Sequence, residues 1–477
     1  MKLKKIKLNN YLIFKKNLEL NLTYPKGHSL AGKPLNKVCF LGQSGTGKTA
    51  ILNLVKYISF EKHINENCLD QKFLNENSVE LFYHINNIDF SKIAIGNGNF
   101  KYVNQHESSQ SDFKLFIEGL LSKDNVCLLN YPFDLIRDLN FDTPISNREF
   151  SNIISRIQAP LQKGEPLGEL EKNSAVANKI WDFGSINIKA LWEVVFNDIK
   201  SYREKVIKRK LELFDTIEKR KALDKVVTLQ LKKFKAWEKK NPNPVEALAL
   251  KGLNKFLKEF QLQIETKVDF DKIEDLNFLK VKQIDGKEVP FLFLSTGTKQ
   301  IILTMLPFYI LKPDNAIILH DEPERSLYPD IQFRLIKELT SQYSGCQFFF
   351  ATHSPVVAAT FEPWEVIELK FDPIQAKVYQ KLYYDPSKEN HIDNYNINPQ
   401  LLPYGSIYTD IFHLNEDGNE DTRLPKVNEL AFLLNDFESI PKSKSNAKKR
   451  TAKLTEIKNL ANKLNIDIRN FNYAENK

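Results

Sequence analysis

The 477 residues include 42% hydrophobic and 11% aromatic side chains, which is more chain than one core usually holds and excludes a single small module. A formal charge of +8 and an isoelectric point near 8.9 are mildly basic, so contact with nucleic acid is allowed but not required, because abundant lysine also serves solubility. Cys39, Cys68, Cys127 and Cys346 are too scattered for a metal site or a disulfide framework, and Met1-Lys2-Leu3-Lys4-Lys5-Ile6 lacks the apolar run of a leader; the expectation is a soluble, cytoplasmic protein without membrane contact.

Lys2 to Leu22 alternates in polarity and predicts two strands joined near Asn9-Asn10-Tyr11. Val38-Cys39-Phe40-Leu41 is a buried strand that runs into Gly42-Gln43-Ser44-Gly45-Thr46-Gly47-Lys48-Thr49, and Ile51, Leu54, Val55 and Ile58 then mark an amphipathic helix. Strand, glycine-rich loop and helix are in the order a phosphate-binding loop requires, with N–H groups converging on an anion at the positive end of the helix. Lys48 is placed to reach the β- and γ-phosphates of a nucleoside triphosphate, and the Thr49 hydroxyl to hold Mg2+.

Val79 to Ile85, Ile93-Ala94-Ile95 and Phe100 to Val103 predict antiparallel strands, the last two turned by Gly96-Asn97-Gly98. Val126 to Tyr131 is another buried strand, ended by Pro132, whereas Asp138 to Gly184 has no clear period. From Ile188 to about Lys240 the spacing is helical, with Leu191, Val195, Ile199, Tyr202 and Val206 on one face. Asn241-Pro242-Asn243-Pro244 breaks that pattern, and Val245 to Gln263 predicts a second helix carrying Leu248, Leu253, Phe256, Leu257 and Phe260. The pair reads as an inserted helical hairpin whose apolar spacing is too irregular for a long coiled coil.

Strands near Phe278 to Ile284 and Val289 to Phe293 are expected across Asp285-Gly286-Lys287, followed by Leu294-Ser295-Thr296-Gly297-Thr298-Lys299-Gln300 opening a helix from Ile301 to Leu311, interrupted at Pro307. Ala316 to Leu319 is a strand that ends in His320-Asp321-Glu322-Pro323-Glu324; a helix from Asp330 to Tyr343 and a strand from Gln347 to Phe350 lead to Ala351-Thr352-His353-Ser354-Pro355. This alternation predicts an α/β fold with a mainly parallel sheet and its ligand at the carboxyl ends of the strands.

Asp321 and Glu322 place two carboxylates at the end of an apolar strand, Asp321 for the Mg2+ shell and Glu322 to polarise an attacking water. Ser295 to Gln300 offers a hydroxyl, a glycine and a helix start, a second anion-binding arrangement. His320 reads as a packing residue, and His353 gains meaning as a γ-phosphate sensor only in this company.

Taken in order, the Gly42 to Thr49 loop, Leu294 to Gln300, Ile317 to Glu322, Glu324-Arg325-Ser326-Leu327-Tyr328-Pro329 and Thr352-His353-Ser354-Pro355 resemble the ABC-type ATPases, specifically the soluble branch with SMC, RecF and OLD-like proteins. In that resemblance the later four stretches are the signature motif, Walker B, D-loop and H-loop. It implies an ABC-type P-loop NTPase head, a mixed sheet plus an antiparallel β lobe, with the helical hairpin inserted. ATP and Mg2+ are the implied ligands, with Lys48, Glu322 and His353 catalytic and Thr49 and Asp321 at the metal. Nucleotide contacts are implied for Gly42, Gln43, Ser44, Gly45, Thr46, Gly47, Lys48 and Thr49, and for Ser295 and Gly297 of a second copy, in a homodimer or larger homo-oligomer that sandwiches ATP.

Tyr328 stands where OLD-like proteins often have histidine, and Gln105 and Gln158 are both poor matches to the Q-loop glutamine. The insert is short for an SMC arm, and the tail lacks the Asp-x-Asp pair of a Toprim nuclease domain. The expected organisation is residues 1–137 as the first part of the core with the β lobe, 138–270 as the helical insert, 271–375 as the second part of the core, and 376–477 as an extension with a basic tail. What remains is similar to the stand-alone ATPase subunits of bacterial anti-phage systems such as Septu, retron-linked modules and the phage anti-restriction-induced system. That resemblance implies a separate effector, a nuclease or toxin; a RecF-like ATPase that clamps duplex DNA is the alternative.

Overall fold

A computed structural model describes residues 1–15, 17–59, 76–96, 99–104, 110–123, 127–132, 180–183, 202, 204–215, 224–241, 246, 253–265, 281–290, 293–372, 374–382, 385, 398–403, 406–407 and 423–464. The strands are β1 (Lys2–Leu8), β2 (Leu18–Asn21), β3 (Lys37–Gly42), β4 (Glu76–Ile85), β5 (Ile88–Gly96), β6 (Asn99–Asn104), β7 (Cys127–Tyr131), β8 (Ile180–Asp182), β9 (Leu262–Ile264), β10 (Val281–Gln283), β11 (Glu288–Val289), β12 (Ala316–Asp321), β13 (Gln347–Thr352), β14 (Val366–Asp372) and β15 (Lys377–Lys381). The principal helices are α1 (Lys48–Ser59), α2 (Gln110–Lys123), α3 (residues 204–215), α4 (Asp224–Lys240), α5 (Thr296–Leu311), α6 (Pro329–Gln342), α7 (Arg423–Ser439) and α8 (Ala447–Leu464).

β12 and β13 are buried at all six positions each, as expected of parallel strands covered on both faces. They sit in the middle of a seven-stranded sheet of order β15-β14-β3-β13-β12-β7-β8, parallel throughout except for the antiparallel edge strand β15. The P-loop strand β3 therefore lies beside β13, and β13 beside β12, so three loops emerge at one end of the sheet. A second, antiparallel sheet of order β2-β1-β4-β5-β6 forms the β lobe, its inward positions filled by Leu3, Ile6, Leu20, Leu81 and Tyr83. The fold is thus α/β, a mixed sheet with an antiparallel β lobe.

Two buried polar side chains fasten the lobe to the core. Gln347 on β13 donates from Nε2 to the carbonyls of Leu3 and Leu35, 2.9 Å each, and its Oε1 accepts from Leu3 N at 2.6 Å. Lys92 on β5 is only 1% exposed and donates to the carbonyls of Ile58 and Ser59 at 3.1 Å, the carboxyl end of α1. These carbonyls lie at the carboxyl end of the described helix, the negative end of its dipole, which explains an amine in an apolar interior.

Several expectations change. The ring of Tyr202 stacks on Trp237 at 6.4 Å, and Leu213 and Gln230 line one cavity of about 270 Å³, which makes α3 and α4 antiparallel neighbours; residues 216–223 and 242–245 lie outside the described residues. The Val245 to Gln263 helix is cut short: Leu262–Ile264 is strand β9, paired to β10 in a three-stranded sheet of order β11-β10-β9. α5 begins at Thr296 and runs through Pro307 without interruption. Proline removes the donor for the Leu303 carbonyl, but Leu303, Leu306 and Phe308 are all buried, and packing holds the helix. The core also crosses the expected boundaries, because β8 pairs with β7 and β15, beyond residue 375, pairs with β14.

The chain divides into two compact units, Met1–Leu401 and Leu402–Lys477. In the second, α7 and α8 pack around Leu430, Leu433, Leu434, Ile457, Ala461 and Leu464. Arg450 lies 4.1 Å over the Phe437 ring and donates to the Phe437 and Ile440 carbonyls at the end of α7. No disulfide joins Cys39, Cys127 or Cys346 among the described residues, and Cys68 lies outside them. No described helix is long and apolar enough to cross a membrane.

Candidate nucleotide site

The loop from Gly42 to Gly47 leaves β3 with Gln43, Ser44 and Gly45 exposed and is braced from below. Thr46 is buried and its hydroxyl donates to the Gln43 carbonyl at 2.8 Å. Gly47 has φ +89°, and an added Cβ would stand 2.6 Å from the Phe14 ring, so handedness and space both call for glycine. Phe14 comes from the turn between β1 and β2, so the β lobe shapes the floor of the loop.

Lys48 opens α1 and is 6% exposed, with Nζ donating to the carbonyls of Gly42 at 2.8 Å and Gln43 at 3.1 Å. Burial pushes its amine down to about 8, opposed by the carboxylates of Asp321, Glu322 and Glu324. The ammonium is thus folded onto its own loop, and two neutral carbonyls are partners that an anionic phosphate oxygen would outcompete.

Thr49 Oγ1 donates to Asp321 Oδ2 at 2.8 Å across 272 positions of sequence. Burial pushes the Asp321 carboxyl up to about 6, further raised by Glu322 and opposed by the Thr49 hydrogen bond and Lys48. The Thr49 side faces solvent. A hydroxyl and a carboxylate oxygen in contact at an accessible point are the hard donors Mg2+ prefers, so these residues fit that ion.

Glu322 follows at the strand end with φ +48°, and its N–H donates to the Ala351 carbonyl at 2.8 Å. A left-handed non-glycine residue costs on the order of 1–2 kcal/mol, and here it falls directly after β12 at a half-buried carboxylate. His353, at the end of β13, is solvent-exposed on its outer side; partial burial and Lys48 push its imidazole down, opposed by Glu322, which favours the neutral ring. His320 is fully buried between the Tyr131 and Phe350 rings, at 5.0 and 6.1 Å, and burial pushes it down to about 3, so it packs as a neutral ring.

Lys48, Thr49, Asp321, Glu322 and His353 are therefore brought together. Ser295 and Gly297 make their close contacts elsewhere. Ser295 caps α5, its Oγ accepting from Thr298 N at 3.2 Å, and an added Cβ on Gly297 would lie 2.4 Å from the Ser326 carbonyl. Gln105 and Gln158 lie outside the described residues.

Two further residues join the site without having been given a role from the sequence. Glu324 accepts from His353 N at 3.0 Å through Oε1, and its buried Oε2 has no hydrogen bond among the described residues. Gln332 donates to the Leu327 carbonyl at 2.8 Å and accepts from Ser354 Oγ at 2.6 Å. Glu324 was readable as a third carboxylate after a buried strand; Gln332, on an ordinary amphipathic helix, left no mark in the sequence.

A family model described as AAA ATPase domain (AAA_15) matches residues 1–358. No curated protein matches. Among solved structures, the Smc head domain with an extended coiled coil bound to the C-terminal domain of ScpA, from Pyrococcus furiosus, is similar with 12% identity and a TM-score of 0.41, covering 80% of this chain and 96% of that one. The SMC head domain from Thermotoga maritima is similar with 12% identity and a TM-score of 0.37, covering 80% of this chain and 99% of that one.

Proposed function

This chain belongs to the AAA ATPase domain family, and on that footing we propose that it binds ATP, hydrolyses it to ADP and phosphate, and does so between two copies of itself. The observation that carries this reading is the 2.8 Å contact between Thr49 and Asp321, which unites the loop after β3 with the end of β12. In this reading Lys48 leaves the Gly42 and Gln43 carbonyls for the β- and γ-phosphates, and Thr49 and Asp321 would hold Mg2+, which would supply neutralisation of phosphate charge. Glu322 orients and polarises the attacking water, and the neutral imidazole of His353 hydrogen-bonds at the γ-phosphate. Ser295 and Gly297 sit at a helix start whose N–H groups suit an anion, and they serve the nucleotide held by a second copy.

The role built on this chemistry is that of a sensor or scaffold subunit in a bacterial anti-phage defence complex, controlling a separate nuclease or toxin. Its support is the likeness of the motif set to stand-alone ATPase subunits of such systems. The sandwich is tested by mixing two inactive variants, Lys48→Ala and Ser295→Arg. Their mixed dimer contains one complete site, with Lys48 from one chain and Ser295 from the other, so turnover should reappear on mixing. Continued inactivity of the mixture, with each variant folded, would count against it. ATP-dependent binding of duplex DNA that weakens steeply with salt would move the role to a RecF-like clamp.

A further inference from the structure

We propose that Gln332, together with Glu324, is a positioning residue that locks the loop after β12 to the loop after β13, so that His353 is placed by the same loop that α5 presses upon. The proposal rests on the ATPase reading above and adds to it a connection between the two nucleotide sites.

His353 has no burial on its outer side to fix it, so its placement must come from the backbone on either side. Two side chains supply this. Glu324 Oε1 accepts from the N–H of His353 itself at 3.0 Å. Gln332 Oε1 accepts from the hydroxyl of the next residue, Ser354, at 2.6 Å. Ser354 is further tied by its N–H to Thr352 Oγ1 at 2.9 Å, and its Oγ accepts from Val357 N at 3.3 Å. Both anchors lead back to the loop between β12 and α6. Gln332 Nε2 donates to the Leu327 carbonyl at 2.8 Å and reaches the Glu324 carbonyl at 3.4 Å. Within that loop Arg325 N donates to the Glu322 carbonyl at 3.2 Å and Leu327 N to the Glu324 carbonyl at 3.0 Å, so it is a closed, hydrogen-bonded turn.

The first turn of α5 bears on that same piece, for Gly297 approaches the Ser326 carbonyl closely enough that a Cβ would stand at 2.4 Å. Ser326 itself has φ +61°, a conformation the surrounding contacts must hold. A continuous series of contacts therefore joins Gly297, Ser326, Leu327, Gln332, Ser354 and His353 inside one chain. Engagement of Ser295 and Gly297 by a second copy's nucleotide would be felt at this chain's own His353 without any change in Lys48 or Thr49.

The test uses the full chain with Gln332→Met, Ser354→Ala and the double variant, reading kcat, the Kd for a non-hydrolysed ATP analogue, and Tm. Gln332→Met keeps the length of the side chain and removes its hydrogen bonds to Leu327, Glu324 and Ser354. The expected result is a fall in kcat of about tenfold or more, as misplaced groups commonly produce, with Kd and Tm nearly unchanged. The double variant should be hardly slower than the worse single variant. An unchanged kcat in Gln332→Met, losses that multiply in the double variant, or a parallel fall in kcat, affinity and Tm would overturn the proposal. A wild-type chain that neither binds nor hydrolyses ATP would overturn the ATPase reading as well, whereas active wild type beside an equally active Gln332→Met removes the positioning role alone.

Discussion

Glu365 shows what burial does to a charge in this fold. It follows the Glu362 N-cap of a short turn, and its Oε2 accepts from Glu362 N at 2.9 Å with Lys37 Nζ at 3.3 Å, yet burial pushes its carboxyl up to about 7. The lysine pulls the other way and does not win. A folded-state value above the ordinary 4.5 means that the folded chain binds more protons than the unfolded one between those limits. The stability this group contributes is complete at low pH and is lost as pH rises through about 7. Glu365→Gln should therefore flatten the dependence of Tm on pH between about 5 and 8, with its largest relative gain at the alkaline end. An unchanged slope in thermal melts would show that Glu365 titrates normally. At this scale the P-loop residues were legible, because a glycine-rich turn between strand and helix is a local pattern. Glu324, Gln332 and Lys92 work through partners brought near by the fold: His353 and Ser354, then the end of α1.

Whether an element could be read depended on how local its partners are. β12 and β13 announced themselves as short apolar runs, the mark of strands buried on both faces. β8 is three residues whose strand character comes from pairing with β7, some 50 positions earlier, so the sequence around it looked shapeless. β9 was mistaken for the tail of a helix because Leu262-Gln263-Ile264 also continues a helical apolar spacing; its pairing with β10 decides the matter. The neighbouring of α3 and α4 was hidden for the opposite reason: Asn241 to Pro244 carries strong turn residues, while the stretch of sequence between α3 and α4 has no glycine or proline. α5 gives the testable case. Gly297→Ala puts a methyl 2.4 Å from the Ser326 backbone carbonyl, which no rotamer change relieves, so α5 and that loop must part. The variant should still bind ATP through Lys48 and lose turnover by about tenfold or more, measured as binding against hydrolysis on one preparation. Full turnover would mean that the contact between Gly297 and Ser326 is incidental.

At the scale of the whole molecule, the seven-stranded sheet makes one end of three neighbouring strands available, and the chain uses it for Lys48, Asp321 and His353. The β lobe adds Phe14 beneath the loop and is pinned to the sheet by Gln347 and Lys92. At the start of α5 Ser295 is exposed, while Gly297 is buried against the Ser326 carbonyl. In the proposed reading Lys48 completes its work only beside a second copy. The direct measurement is the mass of Glu322→Gln by light scattering with saturating ATP and Mg2+, where binding persists and turnover stops. The account predicts a dimer or larger assembly that dissociates when ATP is removed; a monomer under saturating ATP and Mg2+ would contradict it.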